Sequence, residues 1–238
     1  MIASSRFPFQ EPFEIGGRAF SAAEVVARLA PKIRRERRER IAEVIASRTA
    51  SIAVVMEGLY DRGNISAVLR SAEALGYLSV HVVRTQKKFR QADRVTRGAE
   101  KWLRVHESRS TAAALLDLRG RGFRILATHF DSAEPIDRFD FSVPTAIIFG
   151  NENAGVSDEA LGLADARVVV PMSGFTQSFN ISVAAALTLY HISRDRASRG
   201  LGGDLNDDER RILTAEYYLR SVRRAKELLL HERKRERP

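Results

Sequence analysis

Apolar positions along this chain fall into short, dense runs separated by stretches of helical period, and the alternation sets in near residue 51. The runs SIAVVME (51–57), SVHVV (79–83), FRILATH (123–129), TAIIFG (145–150) and RVVVP (167–171) are rich in Val and Ile and nearly continuous, the signature of strands buried on both faces. Between them NISAVLRSAEAL (64–75), TAAALLDLRG (111–120), SDEALGLA (157–164) and QSFNISVAAALTLYHISR (177–194) space their apolar residues as helices do, and the segment from 84 to 110 reads as a basic loop. Strand–helix alternation of this kind predicts an α/β fold: a mostly parallel sheet with helices on both faces.

The two ends follow another pattern. Residues 1–20 contain Phe and Pro without a period and read as irregular; Ser21 is placed to cap a helix running to about Ser47, bent near Pro31. GLGG (200–203) predicts a hinge or linker, followed by a charged helix over 207–231. The organisation expected is an N-terminal basic helical extension (1–48), a central α/β domain (49–198) and a C-terminal basic helical extension (199–238), with no internal repeat.

Composition narrows the chemistry. With 238 residues and 44% hydrophobic content the chain is long enough for a substantial core. It contains no cysteine, which removes disulfides, thiolate metal sites and cysteine nucleophiles. Five scattered histidines without HExxH spacing point to no catalytic metal. No apolar run approaches the roughly 20 residues of a membrane span and the N-terminus lacks an apolar signal core, so a soluble, cytoplasmic protein is expected. The net charge of +9 is concentrated: KIRRERRER (32–40), a group from Lys87 to Arg104, and RRAKELLLHERKRER (223–237). Interleaved Glu36, Glu39, Glu232 and Glu236 are spaced to pair within solvated helices, but Arg remains in excess, which favours a polyanion partner. Arg34, Arg35, Arg37, Arg38, Lys87, Lys88, Arg223 and Arg224 are the expected phosphate contacts.

There is no GxGxxG after the first strand, no GxxxxGK[ST] and no GxSxG, which speaks against the ordinary dinucleotide fold, P-loop phosphoryl transfer and triad hydrolysis. What stands out is a polar set at three strand-to-helix junctions: EGLYDRGNISAVLRSAEALG (57–76), IIFGNENAGVSDEAL (147–161) and VVVPMSGFTQSFNISVAAAL (168–187). The C-terminal ends of strands in open α/β sheets are where ligands bind. Asn64, Arg70, Glu152, Ser178 and Asn180 form one composite site on this reading, with Gly63, Gly150, Gly155 and Gly174 allowing close backbone approach. The plainer alternative makes Asn64, Glu152, Ser178 and Asn180 helix caps and Arg70 a surface arginine, with Phe175 and Phe179 more often core than stacking platforms.

These segments resemble the three signature motifs of the SPOUT superfamily, in particular the SpoU/TrmH group of RNA ribose 2′-O-methyltransferases: N-x5-R (Asn64 to Arg70), FGxExxG (Phe149–Gly155) and IPM…QSxNxSxAxA (Val170–Ala186). The resemblance runs over about residues 41–198, and AEKW (99–102), ATH (127–129) and ALxLAD (160–165) resemble the tRNA guanosine branch. It implies a C-terminal deep trefoil knot, which periodicity does not predict and which departs from the rule against threaded connections. It further implies a homodimer, and S-adenosylmethionine held by Thr128, Phe149, Gly150, Asn151, Glu152, Val170, Met172, Ser178 and Phe179. Arg70 is the implied catalytic residue, helped by Asn64, Glu152, Ser178 and Asn180, and the implied reaction is 2′-O-methylation of a tRNA ribose, most simply the D-loop guanosine at position 18. A ribosomal RNA substrate is the alternative within the class, and a catalytically silent RNA-binding protein the alternative outside it. One departure is Gly63, where bacterial tRNA members of the family often carry His.

Overall fold

The structure is a computed structural model that describes residues 5–59, 61–84 and 98–232. In chain order its elements are β1 (Phe13–Ile15), β2 (Arg18–Phe20), α1 (Ala22–Leu29), α2 (Arg35–Ala46), β3 (Thr49–Glu57), α3 (Arg62–Ala74), β4 (Tyr77–Val83), β5 (Arg104–Ser108), α4 (Thr111–Gly120), β6 (Arg124–Thr128), β7 (Glu134–Pro135), β8 (Thr145–Phe149), α5 (Asp158–Leu163), β9 (Ala166–Val169), α6 (Ile181–Ser198), α7 (Asp207–Ser221) and α8 (Ala225–Glu232). They form two compact units, one of residues 5–6 with Thr49–Gly202, the other of Phe7–Arg48 with residues 203–232.

The first unit is built on a seven-stranded sheet of order β5-β4-β3-β8-β6-β9-β7, every pair parallel. Alternation along β3 divides the core as a twofold period requires. Ile52, Val54 and Met56 join Val68, Leu69 and Ala72 of α3 and Ala185, Leu189 and Ile192 of α6. Ala53 and Val55 join Ala114, Leu115 and Leu118 of α4 and Ala160 of α5. Helices therefore cover both faces, and the strands read as unbroken apolar runs because neither side meets water.

All five expected strands are present, their ends within two residues of expectation. The two edge strands were not foreseen. β5, RVHES, lies inside the expected basic loop and pairs on one side alone, so its side chains are largely half-exposed and its sequence is polar; β7 is two residues long. The last helix of this unit begins at Ile181, four residues later than expected, because Asn180 takes the cap and 177–180 stay outside the helix. Lys87 and Lys88 lie outside the described residues.

In the second unit the two ends of the chain, separate in the sequence reading, pack on each other, α1 and α2 against α7 and α1 against α8. Ser21 caps α1 in a full capping box with Glu24, and the expected bend is a 3-10 turn, Ala30–Lys32, containing Pro31. The expected C-terminal helix is two helices, interrupted where Arg224 adopts φ 58°. Residues 13–20 are not irregular: β1 and β2 form a hairpin whose turn residues, Gly16 and Gly17, both have positive φ (57° and 72°), as a two-residue hairpin demands. Phe7, Phe9, Ile15 and Phe20 are buried here, and the Arg220 guanidinium lies 5.5 Å from the Phe9 ring centroid.

Candidate active site

At the C-terminal end of β3 the chain turns into α3, and the cap is Asp61, whose carboxylate accepts from the Asn64 backbone N–H at 2.7 Å. Asn64 is therefore inside the first turn, not at the cap, and its amide is directed to other business. Asn64 Nδ2 donates to Glu152 Oε1 at 2.8 Å, and Asn64 Oδ1 accepts from Asn180 Nδ2 at 3.4 Å. Asn180 in turn caps α6, its Oδ1 accepting from Ser182 N–H (2.9 Å) and Ser182 Oγ (2.6 Å). One polar residue from each of three junctions, 88 and 116 residues away from Asn64, thus meets in a single chain of hydrogen bonds.

The loop holding Glu152 is rigidly specified. Asn151 and Gly155 exchange two main-chain hydrogen bonds (2.8 and 2.9 Å), Asn151 Oδ1 accepts from Asn153 and Ala154 N–H, and Asn151 Nδ2 donates to Gly58 O at 2.8 Å. Gly150 is obligatory in this crossing: a Cβ there would lie 2.1 Å from the Gly155 carbonyl carbon. Buried Glu57 ties down the far end, accepting from Ser157 N–H (2.9 Å), Ser157 Oγ (2.7 Å) and Thr111 Oγ1 (2.5 Å). Ser157 caps α5, so Glu152 is not a cap. Neither Glu57 nor Thr111 was singled out from sequence; an acidic residue closing an otherwise apolar strand was the available signal.

Arg70 is exposed on α3, about 9 Å along the axis from Asn64. It lines an open groove of about 650 Å³ with Ala67, Ser71, Glu73, Ala74, Gly98, Ala99 and Trp102. Ser178 is exposed and has no hydrogen bond to the Asn64–Glu152–Asn180 set. Of the residues expected around a cofactor, Thr128 donates its hydroxyl to Ile148 O at 2.8 Å, and Phe149 is wholly buried in the core. Val170 and Met172 are half-buried, while Phe175 (108% exposed) and Phe179 (39%) are not core residues, contrary to the plainer expectation. No main-chain group of 171–179 makes a hydrogen bond among the described residues. The described basic residues Arg34, Arg35, Arg37, Arg223 and Arg224 are exposed and Arg38 is half-buried, all in the second unit. Arg35 pairs with Glu39 at 2.7 Å, as the charge spacing anticipated.

A sequence model described as the SpoU rRNA Methylase family matches residues 51–190. A protein named tRNA (guanosine(18)-2′-O)-methyltransferase from Escherichia coli (strain K12) is 39% identical over 163 residues, 68% of this chain and 71% of its own. Among solved structures, the A. aeolicus TrmH/SpoU tRNA modifying enzyme superposes with a TM-score of 0.71 at 30% identity, over 79% of this chain and 98% of its own. The SpoU methyltransferase AviRb from Streptomyces viridochromogenes, solved in complex with the cofactor AdoMet, superposes with a TM-score of 0.56 at 29% identity, over 61% and 60% of the two chains. The match spans the junctions that carry Asn64, Arg70, Glu152 and Asn180, and on it the chain belongs to the SpoU methylase family.

Proposed function

We propose that this protein transfers a methyl group from S-adenosylmethionine to the 2′-hydroxyl of the D-loop guanosine, position 18, of tRNA. The observation that carries the reading is the convergence of Asn64, Glu152 and Asn180 at the ends of three strands, with Arg70 exposed on the same helix as Asn64, in a family whose E. coli member bears that activity in its name. AviRb supports the cofactor.

The donor set fits such a nucleoside. The segment 171–179 brings main-chain N–H and C=O groups not engaged within the described chain, together with apolar Met172 and Phe179, the mixture an adenine edge and face require. Thr128, the Phe149–Glu152 main chain, Val170 and Ser178 complete the cradle in this reading. Bound there, S-adenosylmethionine supplies an electrophilic methyl on a positively charged sulfur. The protein's part is positioning and electrostatics. Arg70 orients a phosphate and the target hydroxyl and stabilises negative charge developing on the ribose oxygen. Glu152 holds the Asn64 amide, and Asn64 with Asn180 fixes the start of α3 and hence the place of Arg70.

Two further features belong to this reading. The C-terminal part of the central domain is threaded as the family's deep trefoil knot. The protein works as a homodimer in the cytosol, and α6 offers a fitting surface: Val183, Leu187 and Tyr190 are 45%, 41% and 58% exposed at helical spacing on one stripe. Arg34, Arg35, Arg37, Arg223 and Arg224 contribute phosphate contacts.

The test is methyl incorporation from labelled S-adenosylmethionine into unmodified tRNA and into ribosomal RNA, with the product mapped by nuclease digestion and mass spectrometry. 2′-O-methylguanosine at position 18 is the expected product. Product in ribosomal RNA alone moves the substrate and keeps the chemistry, and no product in either, with RNA binding intact, makes the protein a silent RNA binder.

A further inference from the structure

β6 runs out in ATH (127–129), whose Thr128 belongs to the expected cofactor set and whose His129 has no part in the methyl transfer described above. Next comes Phe130, 71% exposed. Single apolar residues on a surface are ordinary and call for no explanation. Phe130 differs because it is built into place. The His129 imidazole lies flat against its ring, with centroids 4.9 Å apart and planes 8° from parallel. His129 is itself fixed: its main-chain N–H donates to Val168 O at 3.1 Å, and its Nδ1 accepts from the Asp131 N–H at 3.0 Å. Arg167 reaches over from β9 to donate to Asp131 O at 3.4 Å, and Ser132 turns the chain at φ 53°, a left-handed conformation that costs a non-glycine residue energy. An anchored turn thus holds a phenyl ring with one face backed by an imidazole and the other open to water.

We infer that Phe130 is a stacking platform for an unpaired base of the RNA next to the methylated nucleotide, and that His129 backs this platform and donates from Nε2 to the same strand. The inference rests on the RNA methyl-transfer reading above and adds a substrate subsite to it. Position is the first reason. β6 lies between β8, which leads into the loop of Glu152, and β9, which leads into the segment 171–179, and the C-terminal ends of such strands are where ligands bind. Phe130 is two residues beyond Thr128, at most about 7 Å of extended chain, so the ring lies within a nucleotide or two of a methyl donor held there.

Chemistry is the second reason. Unpaired bases are bound by stacking on aromatic side chains, and a ring already pinned by a second ring loses little freedom when a base arrives. Because Nδ1 of His129 accepts the Asp131 N–H, the neutral ring carries its proton on Nε2, which donates to no group among the described residues and is available to a phosphate or a base edge. The surroundings are the third reason, and they choose the occupant. Phe130 is flanked by polar His129, Asp131 and Ser132, and Arg167 beside the turn pairs with no carboxylate among the described residues. A lone ring in a polar setting with a cation at hand suits a nucleotide, whereas a second protein chain would bury a broader apolar patch, such as the stripe on α6.

The experiment is a cycle between the ring and the base. Full-length protein is titrated by filter binding with an unmodified tRNA transcript and with two transcripts made abasic at the 5′ or the 3′ neighbour of guanosine 18. Phe130→Ala should weaken binding of the intact tRNA about 10-fold, Phe130→Trp should stay within about 2-fold of the parent, and His129→Ala, which leaves the platform without its backing, should lose about 3-fold. The parent protein should lose about 10-fold on one of the two abasic RNAs, and Phe130→Ala should lose nothing further on that RNA. S-adenosylmethionine affinity and sedimentation should not change. Parent-like tRNA binding by Phe130→Ala, or losses that multiply on both abasic RNAs, overturns the subsite. So does a Phe130→Ala protein that loses S-adenosylmethionine affinity, which assigns the ring to the cofactor, or one that sediments as a smaller species, which assigns it to a second copy of the chain. Coupling between Phe130 and one base without any methyl transfer would sustain the subsite and overturn the proposed reaction; transfer to guanosine 18 that is indifferent to Phe130 would do the reverse.

Discussion

Asn64 and Glu152 were named from sequence as members of one site, and the 2.8 Å bond between them makes that joint role measurable. If they act as a unit, Asn64→Ala and Glu152→Ala should each lower kcat by at least 10-fold, and the double variant should be no worse than the poorer single one. Multiplying losses in the double variant would show separate roles. A pair of residues that no motif contains makes a different prediction. His81 and His106 face each other across β4 and β5 with rings stacked 4.5 Å apart. Burial pushes His81 down to about 3, with His106 and Arg121 adding repulsion; burial also lowers His106, helped by Arg104 and Arg121 and opposed by Asp117. His81 therefore stays neutral in the fold down to about pH 3, and His106 resists protonation more than it does in the unfolded chain, which takes up protons below the ordinary value near 6.5. Stability should be level above pH 6.5 and fall as pH drops from there toward 3, by an amount approaching about 1.4 kcal/mol per pH unit where only the unfolded His81 is charged. Urea denaturation across pH 4–7 measures it. In a His81→Asn variant that slope should flatten, and an unchanged slope would assign acid sensitivity to other groups.

At the level of elements, the central strands were legible because burial on both faces leaves unbroken apolar runs, as in SIAVVME and TAIIFG, and the helices because burial on one face leaves a helical period. The edge strand RVHES escaped because a strand with one neighbour and half-exposed side chains has no such period. Helix starts were legible when the capping residue sits next to the apolar pattern, as at Ser21, and not when the fold chooses among several polar residues, as between Asp61 and Asn64 or Ser178 and Asn180. Asp61→Ala should cost about 1 kcal/mol in urea denaturation. It should also lower activity more than that loss of stability explains, since Asp61 holds the backbone of Asn64. Glu57→Gln tests the strut under the Glu152 loop: buried, it serves three donors, and an amide cannot accept from all of them. A loss of about 1–3 kcal/mol is expected. An unchanged melting transition would show that the loop stands without it.

For the whole molecule, charge and compactness make separate statements. The excess of basic residues predicts that tRNA affinity falls steeply with ionic strength, with a slope of log K against log salt near −0.7 to −0.9 per phosphate neutralised. Exchanging Arg34, Arg35 and Arg37 for Gln should lower that slope by about 2 units or more. Filter binding between about 50 and 200 mM salt checks this, and an affinity indifferent to salt would remove the electrostatic account. The proposed dimer is addressed by Leu187→Asp on α6, which should yield monomers in sedimentation velocity if that stripe is the interface.

The sequence by itself determined the α/β class, the strand and helix inventory of the central sheet, the basic ends and the three polar junctions, because each of these is a local pattern: a period of burial, a run of charge, a cluster of Gly, Asn and Ser where a strand stops. Only the tertiary structure decided that Asn64, Glu152 and Asn180 share hydrogen bonds, that Glu57 underpins their loop, that α1 and α2 pack against α7, and that Trp102 and Glu73 line one groove with Arg70. Those are contacts between residues far apart in the chain, and the choice among polar partners at a distance is made by which strands lie side by side in the sheet, a fact that no single segment carries.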